Sequence, residues 1–319
     1  MEFLFIRHGE SHNNVLRETL REEHGRPNDE VLFRRQRLHD PALTQLGKTQ
    51  VLAVAQRVQQ EYPRMHELWV SFLSRALGTA AAVHAALPHT RVLVMTDINE
   101  CGGSYRYCHD KQGFVTEPGV SRSQVTNEYP TFEFFTPTQP ESDHDGWYSG
   151  SGKETHEQSH QRAVQLIARI ESAVAMQLQQ HQGGASSDQR PGSASSSSSP
   201  GNTLGVTPTS DHLNDDQAPL VGVVTHGDFF RLFLSELLRT NRIANTDIDI
   251  VDRIRRGKDM GGAGASDAWV QNTAITRFQV KKKRDAPENN NSDASSGDNA
   301  TAMEWHIALF ADAAHLNNL

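Results

Sequence analysis

Two apolar spacings alternate along the chain. Phe3 to Ile6 is a short run of aromatic and branched side chains that stops at Arg7-His8-Gly9, the pattern of a buried strand ending in a loop. Glu67–Phe72, Arg91–Met95 and Leu220–Thr225 have the same character, and Trp269–Val280 and Met303–Phe310 read as two further strands. Between them the spacing is helical. Ser11, His12 and Asn13 open a polar helix that runs to about Glu23, and Thr44 is a candidate N-cap for Leu46–Glu61, which ends before Pro63. Arg75–Leu87 is rich in alanine and stops at Pro88. His156–Gln179 carries Ala163, Leu166, Ile167, Ile170, Val174 and Leu178 on one stripe, and Asp228–Leu238 is the last helix. Strand–helix alternation of this kind predicts an α/β fold, a three-layer α/β/α sandwich with a mixed, mostly parallel central sheet.

Several stretches depart from the alternation. His24–Leu38 carries several arginines and one proline and reads as an exposed connection. From about 100 to 152 the chain is rich in Gly, Pro, Tyr and Phe without long periodicity, and reads as an irregular insertion after the third strand, a common place for a substrate lid. Gln182–Pro219, with its serine run Ser195–Ser199, and Lys281–Ala300 are too polar to offset chain entropy by burial, and are expected to be disordered. Deleting Gly183 to Thr209 should therefore cost little activity. Residues 1–319 are read as a single domain that carries this lid insertion and the two disordered insertions, at about 182–219 and 281–300.

Composition narrows the function classes. A formal net charge of -8 argues against nucleic acid or an anionic membrane as partner, while leaving room for a local basic pocket. Cys101 and Cys108 are too few for a disulfide framework or a cysteine zinc site. No apolar run reaches the ~20 residues of a membrane span, and Met1 to His8 lacks the features of a signal peptide, so a cytoplasmic location is expected. The oligomeric state cannot be read from these patterns.

Sheets of this class bind ligands beyond the carboxyl ends of their strands. Those ends here bear Arg7-His8-Gly9-Glu10-Ser11, Ser71-Phe-Leu-Ser-Arg75, and Thr225-His226-Gly227-Asp228. Two arginines and two histidines on one rim suit a phosphate dianion. Guanidinium forks match its oxygens, a neutral imidazole can act as nucleophile, and helix N-termini add N–H donors.

With these motifs the chain resembles the histidine phosphatase superfamily, also called the phosphoglycerate mutase-like family. The resemblance rests on an ordered set: Arg7 to Ser11 with Asn14, Leu43 to Gln50, Ser71 to Ala76 with Thr79-Ala80, Glu100 before glycines, Val223 to Gly227, Asn272 to Thr276, and His315-Leu316. It implies a phosphatase acting on phosphate monoesters, with His8 as the nucleophile that becomes phosphohistidine. It further implies that Arg7, Arg75 and His226 hold the phosphoryl oxygens, that Ser11, Asn14 and Gly227 contribute to substrate binding, and that Glu100 is the general acid. Asp97, Asp143 and Asp145 compete with Glu100 for that role. No metal and no cofactor are implied, because cationic side chains do the work of an ion. The expected partner is a phosphorylated small molecule, with a phosphoprotein as a further option.

Two departures qualify the resemblance. Gly227 stands where one branch of the superfamily has an Asp directly after the second histidine, which disfavours the acid-phosphatase branch. The mutases of the family carry a Trp-containing stretch after the His-Gly-Glu-Ser motif, whereas Ser11 is followed here by His12-Asn13-Asn14. Hydrolysis is favoured over phosphoryl return to product, and the intact pair His8 and Glu100 argues against a non-catalytic scaffold. Arg34, Arg35 and Arg37 read either as solvated or as recognising a second anionic group. The aromatics from Tyr105 to Trp147 read either as the core of the insertion or as a pocket lining.

Overall fold

A computed structural model describes residues 1–25, 28–135, 146–183, 218–244, 271–283 and 302–317. Its centre is a seven-stranded sheet in the order β6-β3-β2-β7-β1-β8-β9. The strands are β1 (Glu2–Arg7), β2 (Glu67–Ser71), β3 (Arg91–Met95), β6 (Glu133–Phe134), β7 (Leu220–Thr225), β8 (Ile275–Lys282) and β9 (Met303–Asp312). β1 pairs in parallel with β7, β7 with β2, β2 with β3 and β3 with β6, while β8 runs antiparallel to both β1 and β9. The sheet is thus mixed and mostly parallel, as the alternation predicts.

The period of two along β1 sends its side chains to opposite faces. Phe3 and Phe5 enter a core shared with α6 (His156–Gly183) and α7 (Gly227–Arg239), through Leu166, Ile170, Phe229 and Phe233. Leu4 and Ile6 enter a second core with α3 (Gln45–Glu61) and α4 (Ser74–Ala86), through Val54, Val58, Ala76 and Val83. The α6 stripe is buried from Ala163 to Val174, but Leu178 is 36% exposed, so the helix leaves the sheet before its apolar pattern ends.

Local signals fix the helix ends beside the carboxyl ends of the strands. Thr44 caps α3, its Oγ accepting from the Gly47 N–H at 2.9 Å. The same hydroxyl donates to Glu10 Oε1 at 2.5 Å, and the Thr44 N–H donates to the Glu10 carbonyl at 3.0 Å. The loop after β1 therefore lies directly on the start of α3. Gly47 makes this possible: a Cβ there would sit 2.0 Å from the Glu10 carbonyl oxygen.

Three expectations are corrected. His24–Leu38 is not an exposed connection, because most of it forms α2 (Asn28–Gln36), which packs against α1 (His12–His24). Phe33 is buried beneath the Arg17 guanidinium, 4.0 Å from ring centroid to Cζ, and acidic Asp29 and Glu30 lead while Arg34 and Arg35 close, in accord with the helix dipole. The 100–152 stretch is not wholly irregular. It contains the hairpin β4 (Tyr105–Cys108) and β5 (Gly113–Thr116) and the helix α5 (Arg122–Glu128), and β6 then joins the edge of the main sheet. β8 begins at Ile275, after the non-strand residues 271–274, and takes in Lys281 and Lys282, and α6 takes in Gln182 and Gly183. The remainder of the two polar segments, at 184–217 and 284–301, lies outside the described residues, as do Asp143, Asp145 and Trp269.

Candidate active site

The carboxyl ends of β1, β2 and β7 meet at one cavity of about 510 Å3. Arg7 and His8 leave β1, Arg75 sits in the first turn of α4 just after β2, and His226 follows β7. All four are buried, His8 to 2% exposure and His226 to 0%. The rings of His8 and His226 lie 5.0 Å apart between centroids. Ser11, Asn14, Glu100 and Gly227 line the same space. Arg7, His8, Ser11, Asn14, Arg75, Glu100 and Gly227 therefore line one cavity, with His226 beside His8.

Hydrogen-bond partners decide the protonation of His8. Arg75 Nε lies 3.1 Å from His8 Nε2, and a guanidinium can only donate. Nε2 is thus the acceptor, and the proton sits on Nδ1, which donates to the Gly9 carbonyl at 2.7 Å. Burial, then the charges of Arg75 and Arg7, push the His8 pKa well below its usual value, so the ring is neutral with its Nε2 lone pair beside a guanidinium.

His226 is set by a chain of buried groups. Ser71 Oγ donates to Asn99 Oδ1 at 2.8 Å and so accepts from His226 Nε2 at 2.7 Å. His226 Nδ1 and Arg75 Nη1 are buried without a hydrogen-bond partner among the described residues. Burial, then the Arg75 and His8 charges, holds the His226 pKa well below its usual value. Burial likewise lowers Arg75 to about 10, against the opposing pull of Glu100 and Asp40. Buried polar atoms left open beside like charges are costly unless an anion fills the space.

Glu100 Oε1 accepts from the N–H groups of Cys101 at 2.9 Å and of Phe229, in the first turn of α7, at 3.0 Å. Burial, and then the negative charge of Asp228, raises its pKa, while Arg75 pulls the other way. Asp97, its rival, is taken up in an ion pair with Arg169. Asp228 pairs with Arg231 at 2.9 Å on the first turn of α7. Ser11 donates through both its N–H and its hydroxyl to Asn14 Oδ1, at 2.9 and 2.8 Å, which orders the start of α1 under Arg7.

Residues 3–111 match the family model described as the histidine phosphatase superfamily, branch 1. Over that segment the chain is similar to the histidine phosphatase superfamily. The superfamily's histidine and arginine motifs in the segment supply three of the four buried cavity residues, Arg7, His8 and Arg75. No curated protein matches the chain in sequence. Among solved structures it is similar to a mycobacterial glucosyl-3-phosphoglycerate phosphatase, at 15% identity over 97% of this chain and 98% of that one, with a TM-score of 0.43. It is also similar to a phosphoserine phosphatase from Entamoeba histolytica, at 14% identity over 99% and 98%, with a TM-score of 0.43.

Several site residues escape a reading of the sequence. Asp40 accepts from the Ser74 N–H at 3.0 Å and its hydroxyl at 2.7 Å, fixing the first turn of the helix that carries Arg75. Only a turn is legible around Asp40. Ser71 lies inside the quoted motif but shows its role only once Asn99 and His226 are in place. His315 and Thr273 do lie in the motifs quoted from the sequence, and the fold supplies their contacts: His315 Nε2 lies 2.9 Å from Thr273 Oγ, and the Thr273 N–H donates to the Arg7 carbonyl at 3.0 Å, bracing the turn from behind. The insertion's aromatics divide between the two readings. Tyr105 lines the cavity, whereas Phe134 and Trp147 pack on Phe72 at 5.6 and 6.2 Å between centroids. No described helix is long and apolar enough to cross a membrane.

Proposed function

We propose that the whole chain is one histidine phosphatase domain and that it hydrolyses a phosphate monoester through a phosphohistidine on His8. The observation that carries this reading is the tautomer of His8. Its Nδ1–H donates to the Gly9 carbonyl, so Nε2 carries the lone pair, which accepts from Arg75 Nε until a phosphoryl group takes over that donor; Arg75 Nη1 has no partner among the described residues.

In the first step Nε2 attacks phosphorus as the ester P–O bond breaks. Arg7 and Arg75 donate to the equatorial oxygens and take the charge that spreads over them, and His226 joins them once its Nδ1 accepts the proton of the bound phosphate monoanion, its Nε2 proton staying on Ser71. Gly227, Ser11 and Asn14 border the same oxygens. Glu100, whose pKa burial and Asp228 raise, gives a proton to the leaving alkoxide. Its Oε1 is occupied by two N–H donors, so Oε2 is the oxygen that carries the proton. In the second step the Glu100 carboxylate takes a proton from water, which attacks the phosphohistidine, and His8 is restored as phosphate leaves. The guanidinium groups supply the positive charge, and no metal or cofactor is assigned. The substrate class is a phosphorylated small molecule, and the location cytoplasmic.

Replacing His8 with Ala should abolish hydrolysis of a simple aryl phosphate, and a chelator should leave the wild-type rate unchanged. Undiminished turnover by H8A would overturn the chemistry. With 3-phosphoglycerate, release of free phosphate supports hydrolysis, and isomer without phosphate would make the chain a mutase.

A further inference from the structure

Positive charge continues along the cavity beyond the four buried residues. Arg37, just past the end of α2, lays its guanidinium carbon 4.0 Å from the centroid of the Tyr105 ring. Lys153, after the insertion, places Nζ 5.5 Å from the same ring. All three line the cavity. The arginines of this wall on α1 and α2 already have a carboxylate partner: Arg17 and Arg34 share Glu30 at 3.1 and 2.8 Å. The Glu154 carboxylate is held by Arg162 at 2.7 Å.

Arg37 and Lys153 are the surplus. Nε and Nη1 of Arg37 are buried with no hydrogen-bond partner among the described residues, and no described carboxylate pairs with Lys153. The room for this arrangement is kept by Gly102, at φ +98: a Cβ there would meet Tyr105 at 2.9 Å and the Lys153 stem at 3.4 Å. Arg37 is also near enough to Arg75 to make its charge harder to hold, as Arg7 does. Like charges gathered in a partly desolvated cavity repel one another, and among the described residues no carboxylate pairs with Arg37 or Lys153. A ligand that carries its own anion there removes the penalty.

We propose that Arg37 and Lys153, packed on Tyr105, form a second anion subsite, so that the leaving group of the substrate bears an oxyanion of its own, a carboxylate or a second phosphate. The assignment rests on the phosphatase reading of the His8 end. Adjacent Nε and Nη1 donors of one guanidinium fit two oxygens of either group, and the lysine adds a point charge. The proposal decides between the two readings of Arg34, Arg35 and Arg37 in favour of Arg37. Arg34 is spent on Glu30, and Arg35 rests 5.6 Å over Tyr107.

Titration calorimetry with three inert phosphonates tests it: propylphosphonate, 3-phosphonopropionate and propane-1,3-bisphosphonate. At least one charged-tail compound should bind about tenfold tighter than propylphosphonate or better, and the pair of tails tells carboxylate from phosphate. That preference should fall in Arg37→Ala and in Lys153→Ala, and Arg37→Gln keeps the stem on Tyr105 should the alanine variant fail to fold. Equal affinity for all three phosphonates on wild-type protein, or a preference that survives all of these variants, overturns the subsite and leaves the His8 end standing. Failure to bind any of the three overturns the phosphatase reading and the subsite with it.

Discussion

In the proposed mechanism two titrating side chains divide the work at the residue scale, and their environments push them in opposite directions. His8 must be neutral to attack, and burial with Arg75 and Arg7 lowers its pKa. Glu100 must be protonated to release the alkoxide, and burial with Asp228 raises its pKa. The dependence of kcat/KM on pH should then be a bell. The acid limb marks protonation of His8 and lies well below the ordinary imidazole value, and the alkaline limb marks loss of the Glu100 proton. Asp228→Asn removes a negative neighbour that disfavours the Glu100 carboxylate, so the Glu100 pKa falls and the alkaline limb moves to lower pH. An alkaline limb that stays in place or moves up would assign it to another group. A second prediction concerns His226. Ser71→Ala removes the acceptor that fixes its Nε2 proton, and kcat should fall about tenfold or more with the melting temperature little changed. A KM increase at constant kcat would make Ser71 a packing residue.

At the element scale, the site is built by helix starts laid against strand ends. The loop after β1 is tied to α3 through Glu10, Thr44 and Gly47, and Arg75 is carried on the first turn of α4, which Asp40 holds. Thr44→Ala should cost about 1 kcal/mol from the lost cap, measured by denaturant unfolding. Gly47→Ala should cost more, about 1–3 kcal/mol, because the new methyl meets backbone rather than a flexible side chain. The same variant displaces the His8 loop, so its loss of kcat should exceed that of Thr44→Ala. Equal stability and full turnover in Gly47→Ala would mean that the loop does not need this close approach.

For the whole molecule, legibility follows how local each signal is. β1, β2, β3 and β7 are buried on both faces, so their apolar runs are continuous and could be found without knowing their neighbours. Helices α3 and α4 announce themselves by a cap at Thr44 and by prolines at 63 and 88. α2 does not, because Phe33 is its only buried apolar side chain and its arginines mimic a solvated loop. The four buried cavity residues were legible because each ends or follows a strand in a short motif. The Asn99–Ser71–His226 chain was not, since its bonds join residues 28 and 155 positions apart. The same holds for Arg37 and Lys153, whose meeting over Tyr105 needs α2 and the insertion to close on one cavity. A basic cavity also predicts strong linkage. Orthophosphate or vanadate at a hundred times its Kd should stabilise the fold by about 2.7 kcal/mol, read as a rise in melting temperature. No rise at saturating anion would deny the cavity its phosphate.

The central claim is a covalent bond between phosphorus and one nitrogen. Protein mixed with an excess of a phosphate ester and quenched in alkali within the first turnover can be digested and read by mass spectrometry. A phosphoryl group on the peptide containing His8, labile to acid, stable to base and missing from His8→Ala, is the predicted result. Full hydrolysis with no label on that peptide, or a label that persists in His8→Ala, would contradict it.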